Sequence, residues 1–205
     1  MAGKPKSVLL QRLTRPGEGY AIDVVASPAQ KRGMAHFSAD LSAAPVPDRR
    51  FSADAVSVLN GQHLVKLLFA QKNVIGSGYL SLLVIQMSFD SIHLFLKSME
   101  PLNTEVHDML KKINIMGELS EMVEPAGQTV VLSSTMVVTG YSGFDACLDF
   151  YNASPFAMQG VNAGGKLAIE AVVRVNMPTA LVFAMWQKLK DLAPKLPTLV
   201  EGMTS

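Results

Sequence analysis

The stretch AVVRVNMPTALVFAMWQKLKDL, Ala171 to Leu192, changes period part-way along. At its start Val173, Val175 and Met177 share one face of an extended chain while Val172, Arg174 and Asn176 share the other, the period of two expected of a strand. From Met177 onward, Met177, Leu181, Met185 and Leu189 recur every four residues with Ala180, Ala184 and Leu192 beside them, which is the spacing of a helix with an apolar stripe. Asn176-Met177-Pro178-Thr179 is the joint. Pro178 suits a first helical turn, where its missing N–H costs nothing, and Asn176 is placed to cap the helix. A strand with one apolar face needs a cover, and the helix that follows it carries one.

The same unit occurs twice. Thr129 to Ser154 holds two β-rich runs separated by Gly140-Tyr141-Ser142-Gly143, upstream of the strand–helix joint. In the first half, two apolar runs flank Asn60-Gly61, a hairpin signal, and LSLLVIQMSFDSIHLFLKSME then turns from alternation to helical spacing. Val56-Ser57-Val58 aligns with Val137-Val138-Thr139. Val65, Leu67 and Phe69 align with Ala146, Leu148 and Phe150. Met87-Ser88-Phe89-Asp90-Ser91 aligns with Val175-Asn176-Met177-Pro178-Thr179, and Phe95 with Phe183, so the second copy gains about seven residues, placed in the loop NASPFAMQGVNAGG. Ser88 or Asp90 is positioned to cap the first helix, and Pro101 to close or break it before NTEVHDMLKKI.

The expected fold is therefore α+β: two tandem β-β-β-α units forming antiparallel sheet with helices packed on one face. The units span residues 51–115 and 129–193, joined by a linker at 116–128. Residues 1–50 are rich in Pro, Gly, Ala and Ser and read as a partly extended arm, ordered against a partner, in which YAIDVVA is a short edge strand. Residues 194–205 read as a tail. In the second unit Ala146, Leu148, Phe150, Val173 and Val175 share the covered face. Asp145, Asp149, Glu170 and Arg174 fall on the other, with Asp149 and Arg174 as cross-strand neighbours.

Composition narrows the function. The chain has 205 residues, 49% hydrophobic and 17% charged, with a net charge of +1. That balance supplies a core but no global electrostatic pull toward nucleic acid or acidic membranes. Basic residues are spread thinly, Arg49-Arg50 and Lys111-Lys112 are isolated pairs, and there is no aromatic–basic platform, which argues against a nucleic-acid partner. No run approaches the ~18 apolar residues of a membrane span. One cysteine, Cys147, makes no internal disulfide and suits a reducing compartment, so the expected location is cytoplasmic.

The motifs of catalysis are weak. GVNAGGKL, Gly160 to Leu167, has the G-x-x-x-x-G-K of a phosphate loop, yet Leu167 replaces the Ser or Thr that holds magnesium. The segment also opens a strand instead of a helix. The histidines at 36, 63, 93 and 107 lack metal-ligand spacing. Cys147 lies between Asp145 and Asp149, and same-face carboxylates disfavour a thiolate. No catalytic, cofactor or metal residues are assigned on this reading. Twelve methionines suit an adaptable apolar surface, and Phe156 and Met158 in the enlarged loop are candidate contacts.

The joint resembles that of a bacterial family of short domains of unknown function, in which a run of the form V-x-V-x-M-S-P-x-x-A-x-x-L leads from strand to helix. Met177-Pro178 and Ala180 stand in place; the first copy has Met87-Ser88 and no proline. The resemblance covers roughly residues 52–100 and 130–192 and brings no chemistry with it. The layout is also similar to that of the SecB-like export chaperones, which assemble as dimers of dimers and hold unfolded chains in apolar grooves. This chain differs in not being acidic and in carrying two units.

These readings point to a non-enzymatic protein-binding or assembly protein, chaperone-like in one form, acting as a homodimer or higher homo-oligomer on a protein partner or unfolded client. Phe156, Met158, Asp149 and Arg174 are its candidate partner-binding residues. The alternative is a small-molecule-binding protein or enzyme with its site between the two repeats, the enlarged loop as lid and Asp149 and Arg174 nearby.

Overall fold

A computed structural model of the chain describes residues 11–12, 20–27, 36–39, 44–112, 129–153 and 166–196, with side chains for 44–100, 129–153 and 167–196. The fold is α+β, with two tandem strand-rich units, two sheets and helices packed against them. The first unit is β4 (Arg50–Ser52), β5 (Ala55–Asn60), β6 (Leu64–Lys72), β7 (Tyr79–Ser88) and α1 (Phe89–Lys112). The second is β8 (Val130–Ser133), β9 (Met136–Ser142), β10 (Asp145–Asn152), β11 (Lys166–Pro178) and α2 (Thr179–Leu192), which a 3-10 turn at Ala193–Lys195 follows. Ahead of them lie β1 (Gln11–Arg12), β2 (Tyr20–Ser27) and β3 (His36–Ala39).

The two units repeat in register. Val56 pairs with Phe69 as Val137 pairs with Phe150, and Val65 pairs with Met87 as Ala146 pairs with Met177. The offset is 81 residues for the first two antiparallel strands and 90 for the third. Both units carry a β-bulge at the same place, between Phe69 and Ala70 and between Phe150 and Tyr151, with Leu82 and Val172 as the extra residues opposite. The joint thus aligns two residues away from the expected match. Met87 corresponds to Met177, Phe95 to Met185 and not Phe183, and the insertion is nine residues instead of seven. A shift of two keeps the strand's period, which is why alternation did not expose it.

Each unit also has a fourth strand that the sequence did not reveal, and it is exchanged. β4 lies parallel to β11 in the second sheet; β8 lies parallel to β7 in the first. The hydrogen bonds that end the two exchanges correspond: Ala53 N–H donates to the Asn176 carbonyl at 2.8 Å and Ser134 N–H to the Gln86 carbonyl at 2.9 Å. The first sheet runs β5-β6-β7-β8. The second runs β1-β2-β11-β10-β9, with β3 beside β2 and β4 beside β11. YAIDVVA is therefore not a free edge; β2 pairs antiparallel with β11 over Tyr20–Asp23 and holds β1 and β3.

One core serves both units. Val65, Leu67, Phe69, Leu83, Ile85 and Met87 of the first sheet join Leu148, Phe150, Val173, Val175 and Met177 of the second in a single cluster with Ile92, Phe95 and Met99 of α1 and Leu181, Met185, Trp186 and Leu189 of α2. The helices do more than cover their own strands. α1 also touches β9, and α2 also touches β5 and α1. This explains why Thr179, Val182, Phe183 and Trp186 are buried along with the expected stripe. Phe69 and Phe150, equivalent residues, meet edge-to-face at 5.8 Å between ring centroids, so the pseudo-two-fold passes beside them.

The helix ends depart from expectation in two places. Ser88 caps α1, accepting the Ser91 N–H at 3.2 Å and sharing a hydroxyl bond with Ser91 at 2.8 Å, as expected. Asn176 does not cap α2. Pro178 is the N-cap and makes no side-chain cap bond; the chain's solution is Thr179, whose N–H donates to the Phe144 carbonyl at 2.7 Å and whose hydroxyl donates to the Gly143 carbonyl at 2.9 Å. Pro101 does not break α1 either. The helix continues to Lys112 at the expense of one backbone hydrogen bond. No helix among the described residues is long and apolar enough to cross a membrane.

Candidate functional site

The outward face of the second sheet carries the polar chemistry. Asp149 on β10 and Arg174 on β11 are directly opposite, and two hydrogen bonds of 2.6 Å join them, from Arg174 Nε to Asp149 Oδ1 and from Nη2 to Oδ2. The fork matches the carboxylate, the strongest geometry available to such a pair. The Asp149 side chain keeps 9% of its surface exposed and Arg174 23%, so the pair is largely desolvated. The hydrogen bond to Asp149 raises the Arg174 guanidinium above its already high ordinary value. The cross-strand pairing expected from alternation is present. Glu170 is the exception: the bulge sets it opposite Asn152, on the side of Phe150 and not of Asp149, where it is exposed.

Tyr151 lies one position past the bulge and returns to the outward face, in a small cluster with Leu167 and Ile169. Its hydroxyl donates to the Pro45 carbonyl at 3.0 Å, tying the segment before β4 to this sheet. Burial pushes the Tyr151 phenol up to about 12 from 10.0, and the Asp149 carboxylate adds to the effect. The neutral phenol is therefore the form the fold prefers. The sign follows: its contribution is complete below pH 10 and is lost as pH rises toward 12. An alkaline titration read by tyrosinate absorbance is expected to show one of the four tyrosines ionising near pH 12, with stability to urea declining over the same interval.

Beside the ion pair a hollow of about 470 Å³ opens on the same sheet, lined by Gly140, Tyr141, Ser142, Asp145, Ala146, Cys147, Asn176 and Met177. Gly140 keeps it open. It faces Cys147 across the strands, and a Cβ at 140 would stand 3.1 Å from the Cys147 sulfur. The hollow belongs to the second unit alone and not to the seam between the repeats. No group of three or more His, Cys, Asp or Glu side chains among the described residues is arranged to hold a metal. Thr139, at the centre of β9, has a buried hydroxyl with no hydrogen-bond partner among the described residues.

Apolar side chains stand out at the hairpin ends. Val74 is 96% exposed and Ile75 100%, with Tyr79 and Leu80 of the same hairpin also exposed. The tip is built, not frayed. Asn73 Oδ1 accepts the Ile75 N–H at 3.1 Å, Asn73 N–H donates to the Gly78 carbonyl at 3.0 Å, and Gly78 takes φ +88°, which favours glycine. Phe144, 63% exposed, sits on the β9–β10 turn that Thr179 locks. Of the expected partner-binding residues, Asp149 and Arg174 meet as described, and Phe156 and Met158 lie outside the described residues. Val74, Ile75 and Phe144 were not singled out from sequence; two adjacent β-branched residues inside the turn signal KNVIGSG were the available sign.

Comparison of the chain with protein-family models, with curated proteins and with solved structures finds no match in any of the three.

Proposed function

We propose that the chain is a non-enzymatic binding or assembly protein, cytoplasmic and homo-oligomeric, that engages polypeptides through exposed apolar hairpin ends and open sheet edges. The observation that carries this reading is the Val74-Ile75 tip. Two large apolar side chains held in water by a fixed turn contribute nothing to this fold and are suited to contact. In sequence, the segment between β10 and β11, the topological equivalent of this hairpin connection, contains Phe156 and Met158. A chaperone-like hold on an unfolded client is one form of the activity, and the likeness in layout to SecB-like chaperones agrees with it.

Replacing both tip residues with serine is expected to leave urea stability within about 0.5 kcal/mol, the range of exposed substitutions. The same change is expected to abolish suppression of client aggregation, or recovery of partners in native mass spectrometry of protein from its host. Retention of every partner by the double variant would remove the tip from the reading.

The hollow favours a second reading. Its lining is mostly apolar, with polar groups from Ser142, Asp145 and Asn176, which suits a small, largely apolar ligand that carries a few polar atoms. A small molecule retained through gentle purification and lost on replacing Asp145 and Asn176 would support it.

A further inference from the structure

We propose that Arg50 and Arg174 form a carboxylate-binding site beside the hollow, and that it takes a small organic acid with its charged end on the two guanidinium groups and its apolar body in the hollow. This deepens the second reading above and rests on it, since the hollow must hold a ligand. β4 and β11 run parallel, with Arg50 directly opposite Arg174. Phe51 and Val175, the next pair, both pack on the core, so the two arginines stand together on the outward face. Cys147 and Asn176, which line the hollow, are paired on that same face two residues along from Asp149 and Arg174. Two residues of strand span about 7 Å, within reach of an arginine side chain.

Charge and hydrogen bonding fit one anion. Arg174 spends Nε and Nη2 on Asp149, and its Nη1 makes no hydrogen bond to a described residue. Asp149 fixes the guanidinium from the more buried side, and Arg174 is the partner that meets solvent. Arg50 is exposed and has no ion pair among the described residues. Like charges set directly opposite repel, whereas a carboxylate shared by two guanidinium groups turns the same arrangement into a clamp. Two arginines against Asp149 leave one unbalanced positive charge, which suits a monoanion; Asp145, further along β10, disfavours a second negative charge in the ligand. The first unit shows that the fold has no need of these charges. Its equivalents of Asp149, Arg174 and Arg50 are Leu68, Val84 and Val131, paired in the same order. Its equivalent of Gly140 is Leu59, so the charged row and the hollow occur together in the second sheet and neither is copied in the first.

The test is calorimetric titration of the full-length chain with three probes that share one apolar tail: octanoate, octan-1-ol and octylamine. Octanoate is expected to bind at least about tenfold more tightly than either of the others, the effect of one charge-assisted hydrogen bond. Arg50→Gln, at an exposed position outside the Asp149–Arg174 pair, is expected to remove that preference. Gly140→Leu, which copies the first unit and fills the hollow, is expected to weaken all three probes; Arg50→Gln decides alone if the leucine variant does not fold. Octanol binding as tightly as octanoate, with Arg50→Gln changing neither, would overturn the carboxylate site and leave the hollow as an apolar pocket. Preference for octylamine would overturn it too and give the choice of charge to Asp145. Where no probe binds, the molecule retained through gentle purification decides. An acid that is lost on Arg50→Gln upholds the site, a neutral or basic molecule overturns it alone, and no retained molecule overturns both readings.

Discussion

Phe150→Ala is expected to lower the free energy of unfolding by about 3–5 kcal/mol, the range for a buried aromatic emptied to alanine. Phe150 is 0% exposed, as is Phe69, and each lies on the middle strand of its own hairpin pair. The cavity cannot close by moving one small element. It is walled by strands of both units and by helices that each touch both sheets. A domain of this kind has only ~5–15 kcal/mol in all, so the variant is expected to unfold at a much lower urea concentration. The edge-to-face contact adds a signature that burial alone would not give. In a double-mutant cycle with Phe69→Ala, the two changes are expected to be non-additive by about 0.5–1.5 kcal/mol. Additive losses would mean the two rings are not coupled, and that the units meet elsewhere.

Asp149→Ala is expected to cost about 3 kcal/mol in the same assay, because it leaves the Arg174 guanidinium half-buried without its counter-charge. That figure is the low end for buried pairs, since Arg174 retains some contact with water. The first unit supplies the control. At the positions equivalent to Asp149 and Arg174 it carries Leu68 and Val84, directly paired, with exposures of 0% and 3%. The variant Asp149→Leu with Arg174→Val copies that solution into the second sheet. It is expected to restore stability to within about 1 kcal/mol of the unaltered chain, or to exceed it, since apolar replacements of buried ion pairs are often neutral or better. A double variant as unstable as Asp149→Ala would show that this face depends on the charges themselves.

The sequence disclosed the strands that pair with their neighbours in the chain. Val65-Leu67-Phe69 and Ala146-Leu148-Phe150 alternate strictly, and the hairpins between successive strands have turn residues at fixed places. Three features escaped. The bulges at Leu82 and Val172 insert one residue without any change in hydrophobic character, so alternation ran past them and misplaced Glu170. The exchanged strands are three and four residues long and pair with the other unit, and no local period can announce a partner in the opposite half of the chain. The cap of α2 comes from the β9–β10 turn through Thr179, a tertiary contact that outranks the local preference of Asn176. At the site, the Asp149–Arg174 pair was legible because both residues sit in one hairpin register. The hollow was not, because an absent side chain at Gly140 gives no signal until its neighbour Cys147 is known.

The exchange of β4 and β8 bears on how the chain comes to be folded at all. Neither half owns a finished sheet: the last parallel strand of each is delivered by residues that precede the other's hairpin. The closing contacts join segments far apart along the chain, so their loop entropy is met late and all together. Such wiring removes the half-folded intermediate that two tandem units would otherwise permit, and calorimetry is expected to register one transition whose van't Hoff and calorimetric enthalpies agree. The same wiring is what a pair of identical, separately encoded units would need in order to recognise one another. The covalent link between the halves makes permanent an embrace that two free units would have had to find by diffusion.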